Sequence, residues 1–101
     1  MVEKNFDIVG IGNAIVDVIA DVEDQYLKDH ELRKGLMSLV DLESVKKISD
    51  TLNIKTTVSG GSVANSIVCL AQHNIKTAFI GKVGEDPIGN KFVEGLLKEQ
   101  V

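Results

Sequence analysis

From Lys55 to Leu97 the chain alternates strand-like and helix-like patterning, and this limits the fold more than any other feature of its 101 residues. Lys55-Thr56-Thr57-Val58-Ser59 is a β-branched run of the kind found in strands. From Ser62 to Gln72, Val63, Ile67, Leu70 and Ala71 recur at i, i+4, i+7 and i+8, a single helical stripe. Asn74 suits a left-handed stop after that helix. Lys76 to Gly81 reads as a strand again. Asp86-Pro87 then sets a capping carboxylate before a proline at the first helical position. The helix beyond is expected to bury Ile88, Phe92, Val93, Leu96 and Leu97. Strand, helix, strand, helix argues for an α/β layer on a parallel sheet.

The first half breaks this alternation. Phe6 to Gly12 reads as a short buried strand, and Ile15 to Val22 as a second one, with only Asn13-Ala14 between them. A parallel pair needs a long crossover, so the second run either bends on from the first or leaves the main sheet. Glu23 to His30 can hold a helical turn around Tyr26 and Leu27. Gly35 to Val40 reads as another short strand. Asp41 is placed to cap a helix from Leu42 to about Leu52, with Leu42, Val45, Ile48 and Leu52 on one stripe.

Composition narrows the function classes. Hydrophobic residues make up 44% and charged residues 26%, an ordinary globular balance. A net charge of −4 gives no general attraction to nucleic acid or to an anionic membrane. Four scattered aromatics, Phe6, Tyr26, Phe79 and Phe92, offer no stacking platform. The single Cys69 forms no internal disulfide and, among Ile67, Val68 and Leu70, is expected to be a packed core thiol. Without the basic start and apolar run of a signal peptide, or the roughly 18–20 apolar residues of a span, a reducing cytoplasm is the expected compartment.

The candidate site centres on Gly60-Gly61-Ser62-Val63-Ala64-Asn65. Two glycines between strand and helix let the backbone turn tightly and approach a ligand closely. A helix starting there presents free N–H groups, and the Asn65 amide suits neighbouring hydroxyls. This is the chemistry of a polyol-binding corner; the plain alternative is a strand-to-helix turn capped by Ser59 or Ser62. In the second run Ile15, Asp17, Ile19 and Asp21 share one face of a strand. Aspartate is depleted in strands, so Asp17 is either on a solvated face or accepts hydrogen bonds from ligand hydroxyls.

Other chemistry finds little support. Gly10-Ile11-Gly12-Asn13-Ala14-Ile15 lacks the third glycine of a dinucleotide fingerprint and leads into a strand. There is no phosphate-binding G-x-x-x-x-G-K-[ST]. His30 and His73 lack partners at metal-ligand spacing and read as helix-end or surface residues. Lys82, in the glycine-rich turn Gly81 to Gly89, is a candidate anion contact or a solvated loop lysine.

Taken together the segments resemble the N-terminal part of the ribokinase/PfkB family of carbohydrate kinases, its adenosine-kinase-like branch in particular. Gly12-Asn13-Ala14-Ile15-Val16-Asp17 resembles the family's first block, whose aspartate binds sugar hydroxyls. Gly60-Gly61-Ser62-Val63-Ala64-Asn65 resembles the start of the first family signature, and Gly81-Lys82-Val83-Gly84-Glu85-Asp86-Pro87-Ile88-Gly89 its end. The resemblance implies an α/β fold: a Rossmann-like parallel-sheet core with a small β-sheet lid, present in part. Residues 1–101 would be the N-terminal part of such a domain, with lid strands near 15–22 and 35–40.

It implies a sugar or nucleoside substrate held by Asn13, Asp17, Gly60, Gly61, Ser62 and Asn65, the Ser62 variant leaning toward nucleosides. The family reaction uses ATP and Mg²⁺ to phosphorylate a primary hydroxyl. The second signature, with its anion hole and catalytic aspartate, is absent from these residues, so no catalytic or metal-binding residue is carried over. The expectation is a fragment that binds neither cofactor, is inactive alone, and self-associates, if at all, through lid strands or uncovered edges. The rival reading is a non-catalytic polyol-binding or self-associating α/β module.

Overall fold

The computed structural model describes residues 4–101. Its elements are β1 (Ile8–Ile11), β2 (Ile15–Ala20), α1 (Asp24–Asp29), α2 (Leu42–Thr51), β3 (Ile54–Gly60), α3 (Ser62–Gln72), β4 (Thr77–Ile80) and α4 (Pro87–Lys98). The chain divides into two compact units, residues 4–17 with 57–101, and residues 18–56.

In the first unit β1 and β4 pair in parallel, in register from Ile8 opposite Thr77 to Ile11 opposite Ile80. Helix α3 supplies the crossover that a parallel pair demands. It packs on both strands, with Val63 and Ile67 against Gly10. Among the described residues, Ala64, Ile67 and Ala71 of α3 and Phe92 and Leu96 of α4 are the buried hydrophobic side chains. Phe79 of β4 joins them, its ring tilted against Phe92 with centroids 5.6 Å apart.

Local signals place the helix ends. Asn74 follows α3 with a φ of 63°, the left-handed stop expected of it. The Asp86 carboxylate accepts the Gly89 N–H at 2.7 Å, with Pro87 at the head of α4.

Several burial expectations are corrected. Phe6 to Gly12 is not a buried strand: Ile11 is 72% exposed, and so is Ile80 beside it at 55%. Helices cover the Gly10 and Phe79 face of this two-stranded sheet, while Val9, Ile11 and Ile80 alternate onto the other. On α4, Ile88, Val93 and Leu97 are exposed rather than buried, because the core takes only the Phe92 and Leu96 stripe. Cys69 is exposed, not a core thiol. Two residues beyond Ile67, it lies about 200° around the helix from the buried stripe.

In the second unit Asp41 caps α2, its carboxylate accepting the Ser44 N–H at 2.8 Å. That bond, then one from the Ser44 hydroxyl, holds the Asp41 carboxyl below the usual carboxylate range. Tyr26 of α1 reaches α2, its hydroxyl 2.8 Å from Thr51 Oγ1. The expected strand at 35–40 does not form. A strand exists only with a partner for its backbone groups, and here Met37 and Leu39 are 83% and 91% exposed. The second strand run does form, as β2, which pairs antiparallel with β3. Among the described residues no helix is long and apolar enough to cross a membrane.

Candidate functional site

The corner between β3 and α3 is built by its glycines. Gly60 ends β3, and a Cβ there would overlap the Asp17 carboxylate. Gly61 is the N-cap of α3 at φ 98° and ψ 138°, a conformation essentially restricted to glycine. A Cβ on Gly61 would lie 3.2 Å from the Asn13 carbonyl oxygen. Asn13 and Asp17, 47 and 43 residues earlier than Gly60, are therefore brought to the turn by the fold.

Ser62 occupies the first position of α3, and the Asn65 N–H closes the first helical bond on the Gly61 carbonyl at 2.8 Å. Among the described residues no side chain caps this helix, so neither Ser59 nor Ser62 plays that part. The N–H groups of the first turn are left for solvent or a ligand.

The two carboxylates of the β2 face have different surroundings. Asp21, just past the strand end, pairs with Lys55 Nζ at 3.1 Å. Such an exposed pair contributes roughly 0–1 kcal/mol. Asp17 is exposed and, among the described residues, accepts no hydrogen bond. A free carboxylate against a glycine turn and an uncapped helix start can accept from ligand hydroxyls while main-chain N–H groups donate to them.

A cavity of about 370 Å³ lies beside this corner, lined by Thr57, Ser59, Asn65, Lys91, Glu94 and Gly95 among others. Of the six candidate residues only Asn65 lines it. The contribution of α4 to this cavity had one trace in the sequence, the glycine at 95 in the interior of an apolar-periodic helix. Lys82 lies on the exposed loop before α4. The histidines stand at helix ends: His30 and His73 follow α1 and α3, each Nδ1 within 2.9 Å of the carbonyl four residues earlier.

Comparison with known proteins accounts for this arrangement. Residues 5–101 match the model of the pfkB family carbohydrate kinases. A ribokinase of Arabidopsis thaliana is 37% identical over 59 residues, 56% of this chain and 16% of that protein. Adenosine kinase 1 of the same plant is 29% identical over 98 residues, 88% of this chain and 28% of that protein. The crystal structure of adenosine kinase from Sinorhizobium meliloti superposes with a TM-score of 0.78 at 31% identity, covering 97% of this chain and 30% of that one. The chain thus spans less than a third of the length of each of these relatives. With its parallel β1–β4 pair, its helices and its separate antiparallel β2–β3 pair, the chain has a ribokinase-like α/β fold and belongs to the pfkB family of carbohydrate kinases.

Proposed function

We propose that this chain forms the substrate-holding corner of a sugar or nucleoside kinase. In this reading Asp17 accepts hydrogen bonds from secondary hydroxyls of the sugar. In the same reading Asn13, the Asn65 amide and the first-turn N–H groups at Gly61 and Ser62 supply further hydrogen bonds to the sugar. Gly60 keeps the turn open to ligand. The observation that carries the reading is the Asp17 carboxylate, which has no hydrogen-bond or ion-pair partner among the described residues and is set against the Gly60 turn. Asp21, by contrast, is committed to Lys55, and Asp41 and Asp86 to capping α2 and α4.

The overall reaction of such a kinase moves the γ-phosphoryl group of ATP, with Mg²⁺, to a primary hydroxyl, and its setting is the cytoplasm. Among the described residues no group of three or more His, Cys, Asp or Glu side chains comes together, and none of them is assigned to Mg²⁺ or ATP. Their part is to bind and orient the sugar, and the chain alone transfers no phosphoryl group.

The test is a titration of the chain with adenosine, ribose and fructose, followed by the backbone amide signals of Gly60, Gly61 and Asn65. One ligand should move these signals. Asp17→Asn should weaken it by about 10- to 100-fold, since a charge-assisted hydrogen bond contributes roughly 1.5–3 kcal/mol. Asp21→Asn should leave binding nearly unchanged. Equal losses in the two variants, or no response to any of the three ligands, would remove Asp17 from the site.

A further inference from the structure

Gly95 lies in the interior of α4, where glycine is destabilising relative to alanine. The structure supplies a reason. A Cβ on Gly95 would overlap Ser59 Oγ and would lie 3.0 Å from Ser59 Cβ. Rotation about χ1 can swing the hydroxyl away, but it cannot move Cβ. Relief then requires the main chain at Ser59, or α4 at residue 95, to shift by a few tenths of an ångström, and Ser59 is the residue immediately before Gly60 and Gly61. The same two residues, Ser59 and Gly95, line the cavity beside Asn65.

We propose that Gly95 is a positioning residue for the substrate corner. Its missing side chain lets α4 close on Ser59, and this contact sets where β3 delivers the Gly60–Gly61 turn relative to Asp17 and Asn65. The consequence for ligand affinity rests on the functional reading above; the mechanical link from Gly95 to the turn does not.

The experiment compares Gly95→Ala, Ser59→Gly and the double variant of the chain. Without ligand, Gly95→Ala should shift the amide signals of Gly60 and Gly61 more than those of Val9 and Ile80 in the β1–β4 pair. In the Ser59→Gly background the same substitution should leave the turn signals in place, because the colliding atoms are gone, and should raise the denaturation midpoint. If Gly95→Ala does not fold, recovery of the fold in the double variant carries the same meaning. Affinity for the ligand found with the unaltered chain should fall about tenfold in Gly95→Ala and not fall further when Gly95→Ala is added to Ser59→Gly. Turn signals that ignore Gly95→Ala, or that move equally in both backgrounds, would overturn the proposal. Correct signal shifts with no sugar binding by any variant would leave the link standing and sink the functional reading alone.

Discussion

Replacing Gly61 by alanine tests the corner most directly. Gly61 has φ 98° and ψ 138°, and holding a side-chain-bearing residue in such a region costs about 1–3 kcal/mol. The new methyl would also sit 3.2 Å from the Asn13 carbonyl oxygen, closer than an ordinary contact. Alanine restricts the unfolded chain, which returns about 0.4–1 kcal/mol, and the tight contact works against that gain. The net loss is expected at about 1–3 kcal/mol, or about 4–24 °C in melting temperature for a domain of this size.

The comparison variant is Gly35→Ala. Gly35 also has a positive φ, 79°, but no atom of the described residues lies within 4 Å of a Cβ built there. It should lose less, because only backbone strain is added. Urea denaturation of both variants, with unchanged slopes, gives the two values. The Gly61 variant should in addition lose response to the sugar ligand at Asn65. Equal destabilisation by the two substitutions, or a rise in stability for Gly61→Ala, would refute the assigned geometry of the turn.

Two further predictions concern stability. Thr77 is 4% exposed, and its hydroxyl has no hydrogen-bond partner among the described residues; a buried unpaired group costs about 1–3 kcal/mol. Thr77→Val should therefore raise the free energy of unfolding by about 1 kcal/mol, read as a higher urea midpoint, and a lower midpoint would reveal a partner for the hydroxyl. The Asp41 carboxyl is held below its ordinary range by the Ser44 N–H, so its support of α2 is fully present above that range and disappears as pH falls through the lowered value. The Ser44 amide signal should titrate with a midpoint below that of an exposed carboxylate, and Asp41→Asn should abolish the titration while keeping the cap. A midpoint at the ordinary value would contradict the assignment.

The features legible in the sequence were those decided within a few residues. The bounds of α3 follow from its apolar stripe and from the glycines before it. Asp41 and Asp86 act on N–H groups three residues away, and Asn74 needs only its own tolerance of a positive φ. The β2 strand follows from its β-branched run, and the family from three short blocks in order.

Burial and meeting were decided by the tertiary structure, because both depend on what lies opposite. Leu36, Met37, Leu39 and Val40 make a short apolar run that could pair as a strand, yet no strand formed without a partner edge. Ile88, Val93 and Leu97 have the right period, yet α4 had room to bury only the Phe92 and Leu96 side. Cys69 shows the reverse, since the period of α3 already set it away from Ile67 whatever the usual burial of cysteine. The approach of Asp17 to Gly60, of Asn13 to Gly61 and of Ser59 to Gly95 joins residues 36 to 48 positions apart. Composition and period carry no information on such distances; the pairing of β2 with β3 and the packing of α4 bring these residues together.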